Sequence, residues 1–165
     1  MAVREVTITI RFSNDCLGSV RGPDCNRMMR NPSGRVMFLP TWWTAILKFA
    51  AEVRSKCHEL VKRIEWDPLV VGSTRPFKRY YAPSRYTLHE AFLQGDSIQV
   101  NCVIPDALGL DDLKELMDVA GAYKGISPYK PDRKYGTFEV ISIEPRTFVG
   151  AESGEEIVKE VSSAQ

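Results

Sequence analysis

The chain has almost no net charge, few histidines and no long hydrophobic run. Its 165 residues carry 22 basic and 21 acidic side chains, a balance that gives no global signature of nucleic-acid binding. Any electrostatic argument must therefore rest on local clusters. No apolar run approaches the ~20 residues of a membrane-spanning helix, and no signal-peptide core follows Met1. We therefore expect a cytoplasmic protein without a membrane partner.

Motifs of the common catalytic and cofactor-binding classes are also missing. The sequence has no Walker loop, HExxH, GxSxG or paired-cysteine zinc motif. Cys57 and Cys102 fall on predicted apolar faces, which favours small buried hydrophobic residues. Cys16 and Cys25 share a polar loop, where pairing or metal binding with a histidine stays open. We expect neither a cofactor nor a metal.

Length and composition favour one soluble domain over residues 1–145, near the common ~100–150-residue size, and an acidic tail over residues 146–165. Alternation of apolar and polar residues predicts strands at residues 6–12, at residues 98–104 and from Phe138. Short apolar runs at residues 36–39 and 69–71 predict two further strands.

Apolar residues spaced three and four apart predict two helices. The first takes Thr41 as its N-cap, carries a core stripe from Trp43 through Val53 to Ile64, and stops at Pro68. Acidic residues at positions 111 and 112 suit the positive end of the second helix. Its apolar face is marked by Leu113, Leu116, Met117 and Ala120.

The resulting order is strand, helix, strand, strand, helix, strand. This order predicts an α+β protein with a ferredoxin-like βαββαβ core. Two long insertions, at about residues 13–34 and 73–96, interrupt the core as loops or hairpins.

The segment over residues 121–140 joins the second helix to the last strand and is the most informative part of the chain. Glycine permits close backbone approach or positive φ, proline stiffens an exposed segment, and tyrosine offers a stacking face beside a cation. This combination favours a phosphate-bearing partner. The candidate contacts are Lys124, Gly125, Tyr129, Lys130, Arg133, Lys134 and Tyr135.

Both insertions carry further basic clusters. Cations neutralise phosphates while aromatic rings stack on bases, and together they suit single strands. The structural alternative is that solvated loops often carry cations and that tyrosines pin such loops to the core. The second insertion contributes Lys78, Arg79, Tyr80, Tyr81 and Arg85, and the first contributes Arg21, Arg27 and Arg30 as secondary contacts.

The run Gly121-x3-Gly125-Ile-Ser-Pro-Tyr-Lys-Pro131, followed by Tyr135-Gly136-x-Phe138-x-Val140, resembles the C-terminal signature of a widespread family of tailed-phage proteins. In that family an AG-x-x-x-G-[IV]-G-x-[YW]-R-P run precedes GRF-x-V. Leu39-Pro40 and the basic-aromatic stretch from Arg75 resemble other parts of the same proteins, so that the match spans roughly residues 35–143. Lys130 and Thr137 stand where the family has arginine. The resemblance implies a phage-encoded protein in the cytoplasm of a bacterial host.

More distantly, a ferredoxin-like core with a glycine-rich loop before its last strand is similar to the RAMP superfamily, the repeat-associated RNA-binding proteins of CRISPR systems. This likeness lies at the level of the fold. It implies RNA binding, and it puts residues 13–34 where those proteins carry a protruding loop. Contact with a neighbouring subunit, and hence self-association, is a further expectation.

Three functions follow as hypotheses. The first is a non-catalytic protein that binds single-stranded nucleic acid or a ribonucleoprotein; RNA, DNA and a nucleotide stay open as ligands. The second is a protein–protein module, such as an inhibitor of a host defence complex or a subunit of a phage assembly, anchored by Trp42, Phe77 and Tyr80. The third is a metal-independent ribonuclease that uses His89 for general acid/base chemistry.

Overall fold

The computed structural model describes residues 2–128 and 135–146. It confirms the α+β class and gives these elements in chain order: β1 (Val3–Phe12), β2 (Cys16–Leu17), β3 (Val20–Arg21), β4 (Asn26–Arg27), α1 (Pro40–Arg54), α2 (His58–Val61), β5 (Glu65–Val71), β6 (Arg75–Ala82), β7 (Arg85–Phe92), β8 (Ser97–Pro105), α3 (Leu110–Tyr123) and β9 (Phe138–Pro145). Apart from Arg146, the predicted acidic tail lies outside the described residues.

The larger part of the core rests on an antiparallel sheet with the order β5-β8-β1-β9. Strand β1 pairs with β8 from Val3↔Pro105 to Arg11↔Ser97 without interruption. The alternation predicted for both strands is confirmed, because every second side chain is buried in one cluster with the apolar faces of α1 and α3. Within this cluster the indole rings of Trp43 and Trp66 stack with centroids 5.0 Å apart.

The prediction of Thr41 as the N-cap of the first helix is wrong. Leu39 is the N-cap, in an extended conformation, and Pro40 is the first helical residue. Proline is favoured there because its fixed φ is already helical and its missing N–H would have had no partner in the first turn. Thr41 therefore lies inside α1, where its side chain is exposed.

The first helix also ends earlier than the apolar stripe predicts. Ser55 and Cys57 adopt left-handed φ values of 55° and 64°, which break the helix after Arg54. Val61 and Ile64 are buried as predicted, but they reach the core from α2 and from the turn before β5. Val53 is exposed, so its assignment to the core stripe is wrong.

Pro68 lies inside a strand and does not stop a helix. It falls within β5, at a register shift between Trp66 and Val70. An edge strand tolerates proline because one side of its backbone needs no ladder partner. The strand predicted at residues 69–71 is thus longer than expected, whereas the strand predicted at residues 36–39 is reduced to single bridges at Val36 and Met37.

The two insertions form a second, smaller sheet. Residues 73–96 supply the β6–β7 hairpin, and residues 13–34 supply β2, β3 and β4. Strand β7 is central: β6 occupies one edge, while Leu17 of β2 pairs with Ala91 and Asn26 of β4 pairs with His89 on the other. This sheet joins the core through Phe92, whose ring stacks on Phe12 with centroids 5.7 Å apart.

All four cysteines are free, so that no disulfide joins Cys16 and Cys25. Cys102 is buried on β8 as predicted, and burial raises the pKa of its thiol to about 12. Cys57 is only half-buried and lies just before α2, so its predicted place on the face of a long helix is wrong.

Candidate nucleic-acid interface

The glycines of the C-terminal motif bring segments of this chain together. A Cβ placed on Gly121 would clash with the carbonyl oxygen of Phe138. Gly125 and Gly136 have φ values of 71° and 80°, and a Cβ on Gly125 would lie 2.7 Å from the carbonyl carbon of Gly136. The close approach expected of these glycines is therefore an approach to protein backbone, and it does not indicate a phosphate site.

The same motif is hydrogen-bonded to β2 and to the residue before it, at the start of the second sheet. The backbone N–H of Leu17 donates to the hydroxyl of buried Ser127 at 2.9 Å, and the Ser127 hydroxyl is 3.2 Å from the carbonyl of Leu17. The N–H of Gly136 donates to the carbonyl of Asp15 at 2.8 Å. The end of α3, the start of β9 and β2 thus form one hydrogen-bonded unit.

The predicted contacts in this loop are only partly described. Lys124 is exposed, and its Nζ lies 4.7 Å from the centre of the Phe49 ring on α1. Gly125 is buried and Tyr135 is half-buried. The remaining predicted contacts lie outside the described residues: Tyr129, Lys130, Arg133 and Lys134.

The β6–β7 hairpin gathers several of the other predicted residues on one side. Residues that face each other across an antiparallel pair share a side of the sheet, which places Tyr80 with Tyr86 and Lys78 with Leu88. The pairing of Asn26 with His89 puts Arg27 on the side of Leu88, and Val20 pairs with Arg27. We name this surface the hairpin face: Val20, Arg27, Lys78, Tyr80, Tyr86 and Leu88.

Aromatic rings and a cation are in contact on the hairpin face. The rings of Tyr80 and Tyr86 have centroids 5.4 Å apart and planes inclined by 56°. The Nζ of Lys78 lies 4.8 Å from the centre of the Tyr86 ring, within cation–π distance. Tyr80 and Tyr86 are 58% and 45% exposed, so both residues are open to solvent.

The acidic residue on this side of the sheet, Glu90, is already neutralised. Its Oε2 lies 3.0 Å from Nη2 of Arg30, and its Oε1 accepts the N–H of Met28 at 2.8 Å. Arg30, predicted as a secondary nucleic-acid contact, thus forms an ion pair within the protein. In residues 2–128 and 135–146, no carboxylate lies within ion-pair distance of Arg27 or Lys78.

The other cations and rings predicted in the two insertions lie away from the hairpin face. Arg79 is half-buried on the opposite side, and Arg21 lies on that side through its pairing with Asn26. Tyr81 is exposed at the register shift before Ala82, and Arg85 is exposed at the start of β7.

Three members of the hairpin face were missing from the predicted contacts: Val20, Tyr86 and Leu88. The signal that could have found the last two is the period-two spacing of residues 76–80 and 86–90 about a turn, which reads as a hairpin.

His89, the candidate general acid or base, is enclosed by the second sheet. Its ring is 0% exposed, with Nδ1 2.7 Å from the carbonyl oxygen of Gly18 and Nε2 2.9 Å from the hydroxyl of Thr87. Because a carbonyl only accepts, Nδ1 carries the proton and neutral Nε2 accepts from Thr87. Burial lowers the pKa of His89; the Gly18 hydrogen bond opposes this, and nearby Arg79 adds to it. The geometry gives His89 a structural role.

The anchors proposed for a protein partner are dispersed. Trp42 and Phe77 are half-buried, and Trp42 lines an apolar groove of about 300 Å³ with Ser19 and residues 125–128. Only Tyr80 of the three lies on the hairpin face. Within the described ranges, no group of three histidine, cysteine or acidic side chains could hold a metal ion. Nor does any helix there have the length and apolar character to cross a membrane.

Comparison with models of known protein families gave no match. Comparison with curated proteins gave none either. The resemblance to tailed-phage proteins therefore stays a prediction that rests on the motif of residues 121–140.

The first test concerns the glycine contact between α3 and β9. Gly121→Ala should lower the free energy of unfolding by about 1–3 kcal/mol, because the added methyl meets Phe138 backbone. Alanine would otherwise stabilise a helix interior, by up to ~1 kcal/mol, so a loss reports the clash. Chemical denaturation measures it. Gly109→Ala, at the N-cap of the same helix, is the control without a clash, since its nearest atom would be Asp112 Oδ2 at 3.9 Å. Equal stabilities of the two variants would contradict the packing argument.

The second test concerns His89 and pH. The pKa of His89 is lowered on folding, so the unfolded chain gains a proton near its ordinary value of ~6.5 while the folded ring stays neutral. The stabilisation that neutral His89 gives the folded state is therefore complete above pH ~6.5. It is lost as the pH falls from there toward the pKa of His89 in the folded protein. Melting temperatures measured from pH 7.5 to 5 should fall less steeply for His89→Gln than for the wild type. His58→Gln, at the exposed second histidine, is the control; identical slopes in all three proteins would refute the assignment.

Proposed function

We propose that this protein is a non-catalytic, phage-encoded binding protein for single-stranded nucleic acid, RNA or DNA, and that the hairpin face makes the contact. The observation that carries the proposal is the pair of exposed rings, Tyr80 and Tyr86, beside Lys78 and Arg27 on a surface where Arg30 neutralises Glu90. Cations attract phosphates and rings stack on bases, which is the composition of a single-strand site.

Single strands fit this surface better than duplexes do. In a duplex each base already stacks on its neighbours, so an exposed tyrosine ring has no free base face to cover. An unpaired base offers both faces, and recognition of single strands uses stacking on tyrosine and similar rings. Tyr80 is 58% exposed, so such a base can reach its ring.

The arrangement of strands supports a ferredoxin-like core behind the hairpin face. Taken as β1-α1-β5-β8-α3-β9, the core elements follow the βαββαβ order. The sheet order β5-β8-β1-β9 places the first strand between the third and the fourth, as that fold requires. The likeness to RAMP proteins and to the tailed-phage family supports a role in the host cytoplasm, with a ribonucleoprotein as another possible partner.

A protein partner is the second candidate function. Val20 is 44% exposed and, with half-buried Leu88, gives the hairpin face an apolar part that suits an aromatic-anchored interface. Such a partner would be a host defence complex, a phage assembly or a second copy of this chain. An interface of this kind loses little affinity as salt is raised, whereas phosphate contacts lose much.

The test is binding of a fluorescent single strand of about 30 nucleotides, as RNA and as DNA, over a series of salt concentrations. Each phosphate contact contributes about 0.7 to the slope of log K against log salt. The double variant Arg27→Ala, Lys78→Ala should therefore lower the slope by about 1.4 and weaken binding at low salt. Lys48→Ala, at an exposed position of α1, is the control and should behave like the wild type.

Two outcomes would count against the proposal. Failure of the wild type to bind either strand at low salt would refute nucleic-acid binding. Binding that the double variant retains with an unchanged slope would remove the hairpin face from the site.

A further inference from the structure

We propose that the hairpin face takes a single strand without reading its bases or its sugar. This inference rests on the proposed function and deepens it, since it names the class of ligand: single strands of any sequence, RNA and DNA alike. The argument comes from the side chains that the face carries and from those that it lacks.

Reading a base requires donors and acceptors aimed at its edge. The usual readers are arginine, lysine, asparagine, glutamine, aspartate and glutamate side chains, with serine or threonine hydroxyls, and discrimination against DNA uses the 2′-hydroxyl. The hairpin face has two tyrosines, a lysine, an arginine, a valine and a leucine. Both oxygens of nearby Glu90 are occupied, one by Arg30 and one by Met28. Among the six described residues that define the hairpin face, none is a carboxamide or a carboxylate.

The two tyrosines have different roles. Lys78 lies over the ring of Tyr86 and Tyr80 leans against it, so Tyr86 is flanked within the protein. Tyr86 is thus a positioning residue, which holds Lys78 where a phosphate would pass. Tyr80 is the more exposed ring and serves as the base platform. Stacking on a ring is tolerant of sequence, because every base has a π-face.

Two side chains on the face could contact the edge of a guanine, Lys78 and Arg27. Lys78 is held over the Tyr86 ring, which leaves Arg27 as the stronger candidate for a bidentate contact. The Nε of Arg27 lies against the β3–β4 turn, 3.3 Å from the position of a Cβ on Gly22, and the turn is closed by the bond from Gly22 N–H to Cys25. A guanidinium held along a turn in this way contacts a passing phosphate from the side.

The face is also short. From β6 across β7 and β4 to β3 there are three inter-strand steps, or about 14 Å. Such a width accommodates on the order of three nucleotides, fewer than the ~4–16 of an OB fold.

The experiment is fluorescence anisotropy with labelled hexamers of oligo-U, oligo-A, oligo-dT, oligo-dA and one guanine-containing sequence, and with a 12-base-pair duplex. The single strands should bind with dissociation constants within about fivefold of one another, and the duplex at least tenfold more weakly. Tyr80→Leu should weaken every single strand by about 5- to 150-fold without changing the salt slope. Tyr80→Phe keeps the ring and should therefore weaken binding much less than Tyr80→Leu does. Tyr86→Leu should lower the slope, as loss of the Lys78 contact does.

A preference of more than a hundredfold for one sequence, or for RNA over DNA, would overturn the inference while leaving the proposed function in place. Unchanged affinity in Tyr80→Leu would overturn the stacking role. A large loss in Tyr80→Phe would show that the hydroxyl reads the base. If no hexamer and no longer strand bound the wild type, the proposed function itself would fall, and the inference with it.

Discussion

The backbones of Gly125 and Gly136 cross so closely that a side chain on Gly125 would clash with the backbone of Gly136. The second sheet is attached to the rest of the protein next to this crossing. The crossing sets Ser127 against Leu17, Leu17 pairs with Ala91, and β7 then carries the hairpin. Without the two positive φ values, β2 would lose its anchor to the end of α3. The constraint is local in sequence, yet it fixes how the smaller sheet stands against the larger one. This explains why the motif is rich in glycine.

Basic residues that are neighbours in the sequence separate in the structure. Lys78 and Arg79 are adjacent, but strand alternation sends them to opposite sides of the hairpin. The same alternation separates Arg21 from Arg27, which brings Arg27 to the side of Lys78. A cluster counted along the chain therefore carries more charge than either side of the sheet presents. The hairpin face gains its positive character less from the number of its cations than from the neutralisation of Glu90 by Arg30.

The elements that could be predicted are those buried on one side only. Strands β1 and β8 and helix α3 expose one face and bury the other. Their apolar residues therefore recur at the spacing of a strand or of a helix, which the sequence shows directly. The break after Arg54 could not be predicted, because Ser55 and Cys57 take a conformation for which glycine is the usual signal. Nor could the position of Pro68, since an edge strand is defined by neighbours far away in the chain. For the candidate site, residue types such as Lys78 and Tyr80 were predictable, whereas their side of the sheet depended on tertiary pairing.

Cys102 lies at the centre of the larger sheet, where its thiol is buried and scarcely ionises. The thiolate is the form that reacts with alkylating or disulfide reagents. Cys102 therefore does not react as long as β8 stays paired between β5 and β1. Modification must then wait for the strand to open, and its rate records how often that happens. Labelling of Cys102 would thus time the opening of the central strands, with half-buried Cys25 in the β3–β4 turn as the comparison.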